Sequence, residues 1–319
     1  MAVTPILSSL PGRRVPHGRG DIVFSAYWVV AAVLAALAVS GYPLDTSAAV
    51  TIAGIVFIGG GLPHGAYDIA LLRRAIALRP DRMVAVVTGY ALIALLMAGL
   101  WMAMPLLALV LFLIVAAVHF GEDWEMLDEP LLRGAAGAAV IAAPTIGHAD
   151  GVAALFVAMS DTRSIVIAQI VIAAAPVILL VTVVGVVLAW RNGGRRWASA
   201  MTLCLVLLVL LPPVWGFALF FVFLHSPRHL AQTRVALGDM TLARWVATGA
   251  ALSLLTVLGW LVIRRLAPYG DSPPMVAQAF QLLASVAVPH LLLSRWLQRR
   301  VERLDQPLPL LLHEKTMLQ

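Results

Sequence analysis

Charged residues are scarce in this sequence, where Asp, Glu, Lys and Arg together make up 12% of the 319 residues. An average soluble domain carries about twice that share. Hydrophobic residues account for 61%, and the mean hydropathy is +0.95. Uncharged stretches of about 18 residues or more are typical of helices that cross a membrane, and here they run from one end of the chain to the other. No soluble domain of useful size fits between them, which excludes a soluble globular protein.

Cysteine is almost absent as well. The single residue, Cys204, excludes an intrachain disulfide, and its apolar surroundings predict a small buried side chain. The net charge of +6 comes from arginines spread over short loops, whereas a nucleic-acid site needs them clustered on one face. The first apolar run, 22–41, is too long for a signal peptide and lacks a small-x-small cleavage site. We therefore expect it to be a spanning helix.

The apolar segments predict an all-α, polytopic integral membrane helix bundle with about ten (8–10) transmembrane helices. They are 22–41, 48–72, 83–103, 105–121, 134–147, 164–190, 197–211, 214–230, 245–263 and 275–294. Arginine clusters near the segment ends orient the bundle. The chain is thus predicted to form one transmembrane domain over 1–319, and the arginines place its polar tails at 1–20 and 301–319 in the cytoplasm. The count requires a break at Pro212-Pro213, since one helix over 197–230 would give nine spans.

Five of the eight histidines lie in apolar segments. Their motifs are GLPHGAYD with His64, AVHFGEDW with His119, FLHSPRHL with His225 and His229, and AVPHLLL with His290. With ten spans, all five fall about 16–24 Å into the membrane at about 1.5 Å per residue. That depth is the cytoplasmic half of a core about 30 Å thick. His225 and His229 are four residues apart on one helical face, a spacing that suits two ligands of one metal.

A single intramembrane histidine is about as often an interhelical hydrogen-bonding residue as a ligand. Several at one level indicate a shared polar site, because ionisable residues are costly in lipid and usually functional. Imidazole ligands favour iron, copper or zinc over calcium or magnesium. The sequence therefore predicts a metal site. The remaining histidines are interpreted differently: His17 and His313 lie in the polar tails, and His148 is expected in a solvated turn.

Acidic residues accompany two of these histidines. Asp68 follows His64 by four residues, and a metal-bound histidine usually donates its other N–H to a carboxylate. An ion pair between Asp68 and Arg73 is the alternative. Arg228, which precedes His229, is expected to extend its charged end towards the membrane surface rather than to act in catalysis.

Glu122 and Asp123 follow His119 by three and four residues, so either carboxylate can accept its N–H. The alternative is that they belong to a solvated helix end. Aromatic residues are dense around the histidine motifs, and in the run WGFALFFVFLH they would suit the wall of an apolar tunnel. Tyr67, Phe120 and Phe221 are accordingly candidates for the surroundings of the site.

Together, the four motifs resemble in order and spacing those of the Brp/Blh family of membrane-bound β-carotene 15,15′-dioxygenases found with microbial rhodopsins. The resemblance covers about 20–300, and the HxxxH pair with two upstream histidines is its most specific part. It implies a non-haem Fe(II) enzyme that splits the central double bond of β-carotene with O₂ into two molecules of all-trans retinal. Carried over by motif, the catalytic iron ligands are His64, His119, His225 and His229. His290 matches a further motif, either behind the ligands or in the substrate pocket.

The same resemblance implies the partners. They are β-carotene or a related carotenoid, O₂, membrane lipid and a microbial rhodopsin that receives retinal, with no nucleic acid. The expected location is the bacterial inner membrane, crossed several times.

Two other functions are compatible with intramembrane histidines. A metal-ion or proton-coupled transporter would use them, with Asp68, as a relay, but it needs a polar path to both faces, whereas the outer half of these segments holds hardly a charge. A two-iron hydroxylase or desaturase generally uses around eight clustered histidines, more than this chain has in the membrane.

Overall fold

The computed structural model describes residues 23–76, 79–266 and 273–305, with side chains up to 297. The tail predicted at 1–20, which includes His17, lies outside the described residues. So do residues 306–319 of the other predicted tail, with His313. Residues 301–305 of that tail continue the last helix.

Every described element is helical, which confirms the all-α class. The helices are α1 (Ser25–Val39), α2 (Ser47–Gly61), α3 (Asp68–Ala75), α4 (Pro80–Ala103), α5 (Pro105–Gly121), α6 (Pro130–Ala142), α7 (Pro144–Met159), α8 (Ile165–Arg191), α9 (Arg195–Leu210), α10 (Pro213–Phe220), α11 (Ser226–Ala236), α12 (Leu242–Leu266) and α13 (Met275–Asp305). Two 3₁₀ turns, Leu62–Tyr67 and Thr162–Ser164, and one π-helical turn, Phe221–His225, complete the elements of the described residues.

Several of these helices have the length and apolar composition of membrane-spanning helices. By length and composition, five described stretches could cross a membrane: Ser47–Ala75, Pro80–Ala103, Thr162–Arg191, Leu242–Leu266 and Met275–Leu297. The bent pair α6–α7 would be a sixth if it counts as one span. Large apolar side chains such as Leu96 and Leu180 point outward, 71% and 69% exposed, as lipid-facing residues do. The count of about ten spans stays a prediction.

Prolines interrupt the helical pattern at two points of the chain. The predicted break at Pro212-Pro213 is confirmed, because α9 ends at Leu210 and α10 begins at Pro213. The segment predicted over 134–147 is instead broken before Pro144, where α6 and α7 meet at 59°. The turn expected at His148 is wrong: this half-buried residue lies at a kink inside α7, and its Nε2 atom is 3.2 Å from the carbonyl of Leu210.

Small residues let the helices that carry the histidines approach closely. A β-carbon on Gly61 would overlap the ring of Phe221, so α2 packs directly on the π turn. A β-carbon on Gly137 would overlap the Ala117 carbonyl, so α6 packs on the backbone of α5. Such contacts between glycine and backbone are typical of membrane helices. They hold the ends of α2 and α5 and the π turn around one interior point.

Candidate metal centre

The structure brings all five intramembrane histidines together at that point. Eight ring-to-ring distances among them run from 4.5 Å for His225 and His229 to 6.3 Å for His64 and His119. Four of the five side chains are buried, and that of His229 is 25% exposed. The four predicted ligands and His290 therefore share one cluster, although they lie on four separate stretches of the chain.

Irregular backbone presents two of these side chains. His64 lies in the 3₁₀ turn between α2 and α3, which follows the glycine run and includes Pro63. His225 ends the π turn, and Pro227 follows two residues later. Proline has no N–H to donate to the preceding turn, which is compatible with the wider geometry of a π turn. Single π turns inside α-helices are frequent at functional sites. His119 and His229, by contrast, project from regular helix.

Hydrogen bonds determine which ring nitrogen of each histidine carries its proton. The Nδ1 atom of His225 lies 2.7 Å from Asp123 Oδ2, and that of His119 lies 3.1 Å from Glu122 Oε2. An ionised carboxylate only accepts, so each neutral ring donates from Nδ1 and keeps a lone pair on Nε2. The two Nε2 atoms face each other at 3.1 Å.

The same arrangement recurs in the other two buried histidines. The Nδ1–H of His64 donates to the carbonyl oxygen of Gly61, and the Nδ1 atom of His290 lies 2.8 Å from Asp68 Oδ2. Tyr90 donates its hydroxyl to the same Asp68 oxygen at 3.2 Å. All four buried rings thus keep a lone pair on Nε2.

These observations fit a bound cation. His64, His119 and His225 offer ligand atoms that all lie within 4.8 Å of one another, and His225, His229 and Asp123 form a second such group. Two facing lone pairs at 3.1 Å repel unless a proton or a cation lies between them. In addition, the buried Nε2 atom of His229 has no hydrogen-bond partner among the described residues, with Asp123 Oδ1 3.5 Å away. Nitrogen donors of this kind suit iron, copper or zinc.

The carboxylates differ from the sequence-based pairing. Asp68 was expected to support His64 or to pair with Arg73, but it accepts from His290 and Tyr90 instead. The prediction failed because spacing along one helix reports only local partners, while α13 brings His290 to Asp68 from 222 residues away.

The pair after α5 is divided between two histidines. Glu122 accepts from His119, as expected, and its other oxygen accepts from Arg295 at 3.0 Å. Asp123 was expected beside His119 and instead binds His225. Neither carboxylate belongs to a simple solvated helix end, since Asp123 is buried and Glu122 is held on both sides.

Arg228 contradicts the expectation that it extends to the membrane surface. It is 1% exposed, and it donates to the Asp123 carbonyl at 2.6 Å. It also lies 3.4 Å from Glu125 Oε1 and 4.8 Å above the Trp197 ring. Arg228 therefore fixes the loop that carries Asp123.

The three aromatic candidates take different positions. Phe120 and Phe221 contact His225 with ring centroids 5.2 and 5.3 Å away, so both border the cluster. Tyr67 points away from the histidines: its ring stacks on Trp245 at 3.8 Å, and its hydroxyl donates to the Trp245 carbonyl. It joins the 3₁₀ turn to α12.

Four site residues escaped the sequence-based prediction: Tyr90, Glu125, Ser226 and Arg295. Ser226 Oγ lies 3.5 Å from His64 Nδ1. Its position directly after His225 could have drawn attention to it. Nothing in the local sequence around Tyr90 indicated a contact with Asp68.

An apolar cavity of about 480 Å³ adjoins the cluster. His64, His119 and His290 line it, together with Asp68 and Tyr90. The remaining lining is predominantly apolar and comes from the 3₁₀ turn, the start of α3, α4, α5, the π turn, α12 and α13. A polar cluster at the wall of an apolar cavity is suited to chemistry on a hydrocarbon.

Comparisons with known proteins point to the same family as the histidine motifs. A protein-family model described as "Beta-carotene 15,15'-dioxygenase" matches residues 53–298. A protein named "Beta-carotene 15,15'-dioxygenase" from uncultured marine bacterium 66A03 is 27% identical over 261 residues, which cover 77% of this chain and 92% of that protein. "Probable beta-carotene 15,15'-dioxygenase Blh" from Halobacterium salinarum is 27% identical over 326 residues, covering 85% and 91%. No solved structure matches this chain.

Proposed function

This chain belongs to the beta-carotene 15,15′-dioxygenase family, and from that membership we propose that it splits the central 15,15′ double bond of β-carotene with O₂. The products are two molecules of all-trans retinal, and each new aldehyde takes one oxygen atom. The observation that carries the proposal is the buried histidine cluster in the wall of an apolar cavity.

Fe(II) is the proposed cofactor, held by His64, His119, His225 and His229. Four neutral imidazoles leave one or two coordination positions open, and a ferrous ion supplies the redox chemistry through which O₂ reacts with a hydrocarbon. The lone pairs on Nε2 and the unpartnered Nε2 of His229 support this assignment.

The chain's own residues have three tasks in this reaction. Asp123 and Glu122 hold the rings of His225 and His119 in one orientation and one tautomer. The apolar cavity excludes water and receives the polyene. The position in which the cavity holds the polyene against the cluster determines which double bond reacts, since correct placement of the reacting atoms is a large part of catalysis.

The proposed setting follows from the substrate. β-Carotene dissolves in the hydrocarbon core of a membrane, so a cavity within the bundle avoids extracting it into water. The proposed location is the bacterial inner membrane, and the proposed recipient of retinal is a microbial rhodopsin.

Expression in bacteria that accumulate β-carotene tests the reaction. We expect the orange colour to fade and retinal to form, and we expect His225→Ala to abolish both changes. His148→Ala is the matched control, because His148 is a half-buried histidine of α7 that lies outside the cluster. Pigment that stays unchanged in cells containing folded wild-type protein would contradict the proposal.

Metal analysis of the purified wild type separates the alternatives. We expect about one iron per chain. Two irons would favour the hydroxylase or desaturase class, and metal uptake by cells with unchanged pigment would favour a transporter.

A further inference from the structure

The wall of the apolar cavity is exposed along two stripes. On α4 the exposed lining residues are Val87, Ala91 and Leu95, and on α12 they are Leu252, Leu255 and Gly259. Each set is spaced by three or four residues, so each forms one face of its helix. Among the described residues, the other members of the lining are buried or half-buried.

The two stripes therefore form the rim of an opening. The opposite walls come from α5 and α13, where Phe112, Ala116 and Leu283 are buried. Eight residues separate Val87 from Leu95, which makes the rim about 12 Å long at about 1.5 Å per residue. The opening thus runs along the helices, between α4 and α12.

The rim has no polar side chain, and it lies on an outer surface of the same character. Beside it, α4 exposes Leu92 and Leu96, and α12 exposes Leu258 and Leu261, all at least half exposed. An ion or a polar metabolite would lose hydration along such a path without compensation. A long hydrocarbon loses nothing there, because the rim resembles the lipid it leaves.

We propose that the gap between α4 and α12 is a lateral portal through which the carotenoid passes from the lipid to the histidine cluster. This inference rests on the proposed function. His64 and His119 line the same cavity as the rim, so a polyene inserted between the stripes enters the cavity that the cluster borders.

Tyr67 sets the position of α12 beside the portal. It stacks on Trp245 and donates to the Trp245 carbonyl at 2.8 Å. Gly249 lies directly against the Tyr67 hydroxyl. These contacts hold the first turns of α12 against the 3₁₀ turn that carries His64, while the rim residues lie further along the same helix. The portal is thereby anchored at its histidine end.

Gly259 offers a way to close the portal. A β-carbon there would meet no atom within 4 Å, so the side chain added in Gly259→Trp leaves the backbone into open space at the rim. Gly89→Trp is the matched control, because Gly89 lies on the other rim helix, has equally open space and does not line the cavity.

The test uses full-length protein in lipid nanodiscs loaded with β-carotene. Two quantities are measured: the carotenoid retained by iron-depleted protein, from its visible absorbance, and kcat/KM of the iron-loaded enzyme. For Gly259→Trp we expect both to fall at least tenfold, with iron content within twofold of wild type. Gly89→Trp should match wild type in both.

A second rim variant keeps the test decisive if Gly259→Trp does not fold. Ala91→Trp narrows the portal from the α4 side and should reduce both quantities likewise. Wild-type retention and kcat/KM in a folded rim-tryptophan variant would overturn the portal alone. A wild type that neither retains nor cleaves carotenoid would overturn the proposed function and the portal with it.

Discussion

The Nδ1 atom of His225 lies 2.7 Å from the Oδ2 atom of Asp123, and both side chains are buried although 102 residues separate them. This contact joins the loop after α5 to the π turn. It directs the Nε2 lone pair of His225 at the Nε2 atom of His119. The carboxylate therefore controls the orientation of His225, one of the four proposed iron ligands.

Loss of that carboxylate should weaken iron binding. In Asp123→Asn the neutral amide no longer favours the Nδ1–H tautomer or raises the basicity of Nε2. Removal of such a partner typically costs about 10–100-fold in metal affinity. Competition with a ferrous chelator measures this affinity. Asp239→Asn is the control, because Asp239 forms an exposed pair with Arg74. Equal iron affinity in Asp123→Asn and wild type would contradict the assigned role.

Close packing of α5 on α6 should be sensitive to a single methyl group. In Gly137→Ala the new β-carbon would overlap the Ala117 carbonyl and the Gly121 amide, so α5 must shift, and with it His119. Overpacking of this kind costs about 1–3 kcal/mol or more.

Gly134→Ala is the matched control for this substitution, because a β-carbon on Gly134 meets nothing within 4 Å. Thermal unfolding in detergent should show a lower Tm for Gly137→Ala and an unchanged Tm for Gly134→Ala. Equal Tm values for the two variants would exclude a tight contact at Gly137.

Local features of the site could be predicted from the sequence, and long-range features could not. The spacing of His225 and His229 and the break at Pro212-Pro213 each depend on a short stretch of the chain. Both could therefore be predicted from the local sequence. The pairing of Asp68 with His290 depends on how α13 packs, which no spacing rule reports. The π turn is likewise invisible, because the run 214–230 has the same apolar pattern with or without an extra residue in the turn.

Composition also gives a wrong prediction of exposure where a polar residue is buried by tertiary contacts at the site. An arginine between apolar residues is most simply interpreted as one that reaches the membrane surface. Arg228 instead finds a carbonyl, a carboxylate and an aromatic face at the same point. That combination exists only after α5, α9 and α11 have assembled, so it cannot be read from the segment that contains the arginine.

The guanidinium group of Arg228 should be required for stability, so that lysine cannot replace this arginine. Lysine keeps the charge in Arg228→Lys, but it cannot bind the Asp123 carbonyl and Glu125 while it stacks on Trp197. Leaving a buried partner unsatisfied costs about 1–3 kcal/mol, so we expect a lower Tm and weaker iron retention.

The matched control is Arg74→Lys, since Arg74 and Asp239 are 47% and 69% exposed in their pair. Exposed pairs contribute about 0–1 kcal/mol, so the Tm of this variant should stay close to that of the wild type. A Tm loss of the same size in both variants would mean that burial of Arg228 has no special role.

His290 should act on the substrate side of the cluster rather than as an iron ligand. It lines the cavity, and it does not belong to either group of converging ligand atoms. Asp68 and Tyr90 hold its ring through one carboxylate oxygen. In Asp68→Asn the ring loses its charged partner, so the polyene should be positioned less accurately. We expect kcat/KM to fall about tenfold or more, with iron content within twofold of wild type. Metal analysis beside kinetics checks both values. Iron loss in Asp68→Asn as large as in His225→Ala would show that His290 is a ligand.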